Sequence, residues 1–132
     1  MKRNGTLNSE IAKTLADLGH TDTVAIGDCG LPIPIDVKKI DLALKLGTPS
    51  FIDVLTELVA EMVVEKITIA TEIHTKNAAM FAQIQSIVGC EIEYIEVSHE
   101  AFKEQLSTTK AVVRTGEATP YANCILHAGV NF

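Results

Sequence analysis

Gly19-His20-Thr21-Asp22-Thr23-Val24-Ala25-Ile26-Gly27-Asp28-Cys29-Gly30-Leu31-Pro32-Ile33-Pro34 is the stretch that decides the fold. Its short apolar run, residues 24–26, lies between polar and turn-forming residues, which is typical of a buried strand. Asp28 follows this strand and begins a loop stiffened by glycine and proline, where open α/β sheets present ligand-facing residues. Because His20 precedes the same strand, one rigid element carries two side chains that can exchange protons or bind hydroxyl groups.

The composition is that of an ordinary globular domain. The chain has 132 residues, of which 47 % are apolar and 21 % are charged, and this length can bury about two thirds of the unfolded surface. The net charge of −6 leaves no basic stripe for a phosphate backbone, so we expect no nucleic-acid partner. The N-terminal residues lack the apolar core of a signal peptide, and no apolar run approaches a membrane span. We therefore expect a cytoplasmic protein with no membrane partner.

Several common site motifs are missing from the sequence. Neither G-x-x-x-x-G-K-[ST] nor G-x-G-x-x-G is present, so nucleotide phosphate binding has no support. The second acidic residue that aspartyl-phosphate enzymes need two positions after the strand-end aspartate is Gly30 here. The four histidines lack metal-ligand spacing, and the three cysteines are widely separated, which predicts no metal, no cofactor and no disulfide framework. We expect reduced thiols in packing positions.

Predicted helices and strands alternate along the rest of the chain. Asn8 or Ser9 can cap a first helix, which Gly19 is suited to end in a left-handed conformation. Residues 40–44 alternate apolar and polar side chains, the pattern of a strand with one wet face, and Gly47 stops it. Further helices are predicted after Thr48 or Ser50, over about 77–88 and after Ser98, and further strands over 66–71, 92–97, 111–114 and 124–126.

This alternation predicts an α/β fold. The expected architecture is a three-layer α/β/α sandwich whose Rossmann-like sheet has about six strands and is mostly parallel. The first two strands have no helix between them, so one strand should be antiparallel or displaced. No repeat, linker or break in composition divides the chain, and residues 1–132 are expected to form a single domain.

Other polar residues are candidates for binding a small ligand. His99 lies at the first turn of a predicted helix, where the dipole disfavours imidazolium; a neutral, ligand-binding imidazole and a plain surface residue both remain open. Tyr121 and Asn123 flank Ala122, and in an extended backbone both side chains would point to one side and bind hydroxyl groups. A hydrogen-bonded turn is the alternative. His20, on spacing alone, would more often be a surface histidine.

A resemblance to a known family rests on five segments of the chain. They are Asn8-Ser9-Glu10-Ile11-Ala12, Leu18-Gly19-His20-Thr21-Asp22, Asp28-Cys29-Gly30-Leu31-Pro32-Ile33-Pro34, Arg114-Thr115-Gly116-Glu117 running into Pro120-Tyr121-Ala122-Asn123, and Ala128-Gly129-Val130. In these segments the chain resembles the RbsD/FucU family of D-ribose pyranases and L-fucose mutarotases, and it is most similar to the D-ribose pyranase branch. The resemblance implies that His20 is the proton donor, and that Asp28, His99 and the segment Tyr121, Ala122 and Asn123 bind the sugar.

The implied reaction is an isomerisation between β-D-ribopyranose and β-D-ribofuranose, the latter being the form that a ribokinase takes in ribose catabolism. Opening a cyclic hemiacetal requires a proton delivered to the ring oxygen and another removed from the anomeric hydroxyl. A histidine suits this exchange near neutral pH, and the anomeric base can be Asp28 or a bound water. Two alternatives are a non-catalytic sugar-binding accessory of ribose uptake and an L-fucose-type mutarotase.

The spacing of His20 and Asp28 leads to a hypothesis about assembly. Eight positions of mostly extended chain separate them, so their backbones should lie about 15–25 Å apart. A pentose cannot bridge that distance. We therefore expect each active site to be shared between subunits, with His20 from one and Asp28 and the Tyr121 loop from its neighbour. The family resemblance likewise implies a homodecamer of two pentameric rings.

Overall fold

Helices and strands alternate along the whole chain in the computed structural model, which describes residues 1–132. In chain order the elements are α1 (Ser9–Asp17), β1 (Thr23–Gly27), β2 (Lys38–Asp41), α2 (Phe51–Glu61), β3 (Val64–Ala70), α3 (Ile73–Lys76), α4 (Ala78–Val88), β4 (Glu93–Val97), α5 (His99–Gln105), β5 (Ala111–Arg114) and β6 (Cys124–Ala128). A 3₁₀ turn, Leu106–Thr108, extends α5. The short helix α3 is the one element that the sequence patterns did not predict.

The six strands form one sheet in the order β2-β5-β1-β6-β3-β4. β6 is antiparallel to both of its neighbours, β1 and β3, and every other pair is parallel. The predicted six-stranded, mostly parallel sheet is therefore confirmed. β2 is displaced rather than antiparallel, because β5 lies between it and β1.

Alternate residues of the central strands face two separate hydrophobic cores. In β1, Val24 and Ile26 belong to the larger core, beneath α1, α2 and α4. Ala25, between them, faces the opposite side and packs with Phe102 and Leu106 from α5 and its 3₁₀ extension. Because helices cover both faces, the predicted three-layer arrangement is confirmed.

Polar side chains begin three of the helices as the sequence predicts. The side chains of Asn8, Ser50 and Ser98 each accept the backbone N–H three residues later, at 3.0, 3.1 and 3.2 Å. At α2 the carboxylate of Asp53 also accepts the N–H of Ser50, which completes a capping box. These caps satisfy N–H groups that the helices themselves leave unpaired.

The second strand begins and ends earlier than the alternation over residues 40–44 predicts, since β2 spans Lys38–Asp41. β2 pairs with β5, and this pairing ends where Asp41 lies opposite Arg114. Beyond that point the chain leaves the sheet, and the side chains of Leu44 and Leu46 are 79 % and 76 % exposed. The prediction was wrong here because strand length depends on the neighbouring strand as well as on local alternation.

The first helix also ends differently from the prediction. α1 stops at Asp17, the next residue is extended, and Gly19 does not have a left-handed backbone. The positive φ, 72°, belongs instead to Thr21. It lies in a turn in which the N–H of Asp22 donates to the carbonyl of Gly19 at 3.1 Å. This turn presents His20 just ahead of β1.

The three thiols differ in exposure. Cys124 is buried, Cys29 is half-buried and Cys90 is exposed, and all three are free. Burial raises the pKa of the Cys124 thiol, so it is an inert packing residue. The expectation that every cysteine packs in the interior is wrong for Cys90. None of the helices has the length and apolar character needed to cross a bilayer.

Candidate functional site

Five of the six predicted site residues lie at one edge of the sheet. Asp28 follows β1, His99 follows β4, and residues 121–123 precede β6. β1 and β4 run in the same direction whereas β6 runs against them, so the three positions meet at the edge where the parallel strands end. Ligand sites of open α/β sheets lie at this edge. His20 precedes β1 and therefore lies at the opposite edge.

Asp28 and Asn123 are joined by two hydrogen bonds. The side-chain oxygen of Asn123 accepts the backbone N–H of Asp28 at 2.8 Å, and its amide donates to the Asp28 carboxylate at 2.9 Å. The N–H of Gly30 donates to the other carboxylate oxygen at 2.8 Å. Asn123 is completely buried, whereas Asp28 is half-buried. The carboxylate is thus held in one orientation, in which its remaining lone pairs can accept hydrogen bonds from the hydroxyl groups of a ligand.

Gly27 allows the close packing beneath this pair. A Cβ atom at position 27 would lie 2.5 Å from Cδ2 of Leu31 and 3.3 Å from the side-chain oxygen of Asn123. The first distance is far below van der Waals contact. A larger residue before Asp28 would therefore displace Leu31 or Asn123. The hydrogen bond from the Asn123 amide to the Asp28 carboxylate would then be weakened or lost.

Tyr121 is held in a left-handed conformation with φ of 57°. The N–H of Asn123 donates to its carbonyl at 2.9 Å, so residues 121–123 form a tight turn. The expectation of two side chains facing one side of an extended backbone is therefore wrong, and the turn alternative is correct. Left-handed backbone is uncommon for a residue other than glycine and clusters at functional sites.

His99 lies between two aromatic rings and has one unpaired nitrogen. Its ring centroid is 5.1 Å from that of Tyr121, almost perpendicular at 86°, and 6.3 Å from that of Phe102, nearly parallel at 9°. Nδ1 of His99 is buried without a hydrogen-bond partner. Buried polar atoms nearly always have partners. Nδ1 therefore lacks the hydrogen bond that a buried polar atom normally has, which marks His99 as a candidate binding residue.

The loop between β5 and β6 is fastened to the start of α2. The Glu117 carboxylate accepts the N–H of Phe51 and the hydroxyl of Thr119, both at 3.2 Å. The backbone carbonyl of Glu117 accepts the N–H of Cys29 at 2.8 Å. Residues 28–30 and 117–120 together line a cavity of about 240 Å³. These contacts therefore hold the loop next to Asp28, along the cavity that a small ligand can enter.

His20 has different surroundings. Its side chain is 51 % exposed, and its Nε2 lies 3.1 Å from the carboxylate of Glu65. Beside it is a depression of about 290 Å³, lined mostly by apolar residues from the end of α1, from the connection between α2 and β3, and from the end of β6 and the segment after it. Asp28 is not among the groups around His20. The chain contains no cluster of three or more histidine, cysteine or acidic side chains placed to hold a metal ion.

A family model, sequence relatives and a solved structure all match this chain over its full length or nearly so. The model of the RbsD / FucU transport protein family matches residues 1–131. The chain belongs to the RbsD/FucU family. Proteins named D-ribose pyranase from Exiguobacterium sibiricum and Bacillus cytotoxicus are each 57 % identical to it over 132 residues, and the match covers 100 % of both chains. The structure of Bacillus subtilis RbsD complexed with D-ribose is 52 % identical, with a TM-score of 0.96 over 100 % of each chain.

In this member of the RbsD/FucU family, two further residues hold the backbone of the site. Both carboxylate oxygens of Glu72 accept the N–H of His99, at 3.1 and 3.0 Å, and this hydrogen bond lowers the pKa of Glu72. The Asn77 amide donates to the carbonyl of Pro120 at 2.8 Å and to the hydroxyl of Thr119 at 3.0 Å. Sequence reasoning missed both residues. Their place just after β3, at the ligand-binding edge, was the signal that could have found them.

Proposed function

We propose that this chain is a D-ribose pyranase, an isomerase that interconverts β-D-ribopyranose and β-D-ribofuranose. The observation that carries the proposal is its 57 % identity, over the full length of both chains, to proteins named D-ribose pyranase. The 52 % identical RbsD complexed with D-ribose supports this sugar as the ligand. The open hydrogen-bonding groups at the strand-end edge suit a small polyhydroxylated ligand.

The proposed mechanism is acid/base opening and reclosure of the sugar ring. His20 delivers a proton to the ring oxygen as the bond from that oxygen to C1 breaks, while a base, Asp28 or a bound water, removes the proton of the anomeric hydroxyl. This leaves the open aldehyde. The 4-hydroxyl then attacks C1 and loses its proton, the carbonyl oxygen regains one, and the ring closes as a furanose. Proton transfer by a positioned side chain contributes about 10²- to 10⁴-fold.

The substrate-binding roles follow from the side chains at the strand-end edge. In the proposal, the Asp28 carboxylate and the imidazole of His99 bind sugar hydroxyls, and the phenol of Tyr121 can donate or accept. Ala122 contributes only backbone groups. Asn123 uses one donor and its acceptor on Asp28 and is completely buried, so in the proposal it contributes to sugar binding through the carboxylate that it orients. No metal or cofactor takes part in any of these steps.

We also propose that each site is built from two subunits of a homodecamer made of two pentameric rings. His20 and Asp28 lie at opposite ends of β1, about 15–25 Å apart along the strand, so a pentose cannot contact both within one chain. Exposed apolar side chains, including Ile35 at 97 % and Leu46 at 76 %, suit burial between subunits. A cytoplasmic location would let a ribokinase take the furanose product.

Exchange between the ring forms of ribose, followed by NMR, tests the function. We expect the chain to accelerate this exchange, and the His20→Ala variant to lose about 10²- to 10⁴-fold of that rate while ribose binding remains. The control is His74→Ala, since His74 is also a partly exposed histidine paired with a glutamate but lies outside the predicted site. An unchanged rate in His20→Ala would reject the mechanism.

The same measurement separates the alternatives. Ribose binding by the unmodified chain without any accelerated exchange would favour a non-catalytic accessory of ribose uptake. Faster exchange with L-fucose than with D-ribose would favour a fucose mutarotase.

A further inference from the structure

Two backbone irregularities meet beside His20. The first is the turn that carries it, in which Thr21 has a φ of 72°. A β-branched residue in this region is a genuine outlier and persists only where its surroundings hold it. The N–H of Thr21 donates to the carbonyl of Ala128 at 3.0 Å, and the N–H of Ala128 donates to the backbone carbonyl of Asp22 at 2.8 Å. The turn is therefore fixed against the end of β6.

The second irregularity is a bulge in β3. Val64 pairs with Ala128 and Lys66 pairs with His127, so Glu65 is an extra residue without a partner in β6. A bulge rotates the side chains of its strand and is over-represented next to active sites. Here the bulge turns the Glu65 side chain out of the regular alternation of the strand.

Glu65 uses this position to contact His20. Its carboxylate oxygen Oε2 lies 3.1 Å from Nε2 of the imidazole, and the Glu65 side chain is only 34 % exposed. Gly129, the residue after β6, lies beside this position, since a Cβ there would be 3.1 Å from Cγ1 of Val63 and 3.4 Å from the Cβ of Glu65. The fixed turn and the bulge thus both lead to this one contact between Glu65 and His20.

The other carboxylates around His20 have different partners. Asp22 accepts the N–H of Gly19 at 2.9 Å and lies 3.4 Å from the ammonium group of Lys110. Glu61, which lines the same depression as His20, accepts the N–H of Thr6. Glu65 is therefore the one acidic group in contact with the imidazole.

We propose that Glu65 is a positioning residue that accepts a hydrogen bond from Nε2 of His20 and so presents Nδ1 to the sugar. The inference rests on the proposed function of His20. A neutral imidazole has one donor nitrogen and one acceptor nitrogen, and the partner of one decides the role of the other. A carboxylate that holds a histidine in one tautomer and orientation is a recurring device in histidine catalysis.

A double-mutant cycle on the full chain tests whether Glu65 acts through His20. We expect Glu65→Ala to slow ribose ring exchange at saturating sugar by about 10- to 100-fold, with little change in ribose affinity. In the His20→Ala background, the same substitution should have no further effect. An unchanged or faster rate in Glu65→Ala, or an equal loss in both backgrounds, would overturn the proposal.

The matched control is Glu96→Ala. Glu96 makes the same kind of contact with His74, at 2.9 Å and with similar exposure, but away from His20. Its loss should leave the exchange rate unchanged. Glu65→Gln keeps an oxygen acceptor of the same reach and should retain part of the rate that Glu65→Ala loses. Thermal unfolding of each variant shows whether the chain remains folded after the substitution.

The nitrogen NMR spectrum of His20 gives a readout that does not depend on activity. In the unmodified chain, the neutral ring should carry its proton on Nε2, and Glu65→Ala should produce a mixture of the two tautomers. A proton on Nδ1 in the unmodified chain would overturn the proposal. If the unmodified chain accelerates no ring exchange, the proposed function fails, whereas the spectra still decide the role of Glu65.

Discussion

Asn123 has its whole side chain buried and places both ends of its amide on Asp28. Neither hydrogen bond can be replaced by water, because no water reaches a side chain with zero exposure. The orientation of the Asp28 carboxylate therefore requires an amide at position 123, which can both donate and accept a hydrogen bond, whereas a carboxylate can only accept. A buried donor or acceptor that loses its partner costs about 1–3 kcal/mol.

The Asn123→Asp variant tests this dependence. It keeps the shape of the side chain but replaces the donor with a second carboxylate oxygen facing Asp28. We expect the free energy of unfolding to fall by about 1–3 kcal/mol and ribose affinity to fall at least about tenfold, since each 1.4 kcal/mol is a factor of ten. Urea unfolding and calorimetric titration with ribose measure the two effects. Asn4→Asp, in the exposed N-terminal segment, is the control, and equal affinities in both variants would contradict the prediction.

Glu72 links the stability of the His99 segment to pH. The hydrogen bond from the His99 N–H lowers the pKa of Glu72 in the folded chain below its ordinary value. Because the folded pKa is the lower one, this contact stabilises the fold above the unfolded pKa, about 4.3. The stabilisation is lost as pH falls through the folded pKa.

We therefore expect Glu72→Gln to reduce the free energy of unfolding at neutral pH and to have a shrinking effect in acid. The side chain is only partly buried, so the difference at neutral pH should stay below about 1 kcal/mol. Urea unfolding at a series of pH values measures it. Glu91→Gln, at an exposed glutamate, serves as the control. A difference between the unmodified chain and Glu72→Gln that does not vary with pH would contradict the assignment.

At the scale of single elements, local chemistry in the sequence predicts most helices and strands. The caps at Asn8, Ser50 and Ser98 form as predicted, since the bonds of a cap join residues three apart. The end of β2 and the bulge at Glu65 could not be predicted in this way. Both depend on which strand lies alongside, and that is settled by the whole sheet.

The candidate site likewise combines features that the sequence predicts with features that depend on segments distant along the chain. The strand-end rule predicted a ligand-facing position for Asp28, whereas the family resemblance added His99 and residues 121–123, and the structure places all five at one edge. The left-handed backbone of Tyr121 was not predictable, because it depends on a turn fixed by the neighbouring loop. The supporting contacts of Glu72 and Asn77 were missed because each joins segments that are distant along the chain.

The loop between β5 and β6 depends on Gly116. A Cβ at this position would lie 2.5 Å from the carbonyl oxygen of Lys45 and from the backbone nitrogen of Thr48, and neither backbone can move freely. Gly116→Ala should therefore lower the free energy of unfolding by about 1–3 kcal/mol. Because the displaced loop carries Tyr121, ribose ring exchange should slow by about tenfold or more.

A variant that is destabilised elsewhere provides the control for Gly116→Ala. Asn8→Ala removes the N-cap of α1 and should cost about 0.5–2 kcal/mol without touching the loop. Exchange rates are compared at a temperature where both variants are folded. Equal rates in the two variants would show that the loop tolerates the displacement.

At the scale of the whole molecule, the shared site of the proposed homodecamer follows from the separation of His20 from Asp28, and in that proposal function depends on assembly. If neighbouring subunits around a closed ring contribute these residues to shared sites, one histidine and one carboxylate per subunit are enough to complete every site. Each chain then contributes to two sites and completes neither. Dilution to monomers should abolish ring exchange while leaving the folded chain intact.

Mixing two inactive variants tests the shared site. His20→Ala and Asp28→Ala should each be inactive alone. After co-refolding in equal amounts, a site that draws the two residues from different subunits has both intact in about a quarter of cases. We expect about that fraction of the unmodified exchange rate to return, measured by NMR. Persistent inactivity of the mixture would place both residues in the same subunit's site.

The position of β6 has a consequence for how the chain is made. It is the last strand in sequence, yet it lies between β1 and β3 in the middle of the sheet. On the ribosome, the partial sheets β2-β5-β1 and β3-β4 emerge before the strand that joins them, so each exposes an unpaired apolar edge. Such edges recruit other chains, and we expect the nascent polypeptide to need chaperone protection until its final strand has left the exit tunnel.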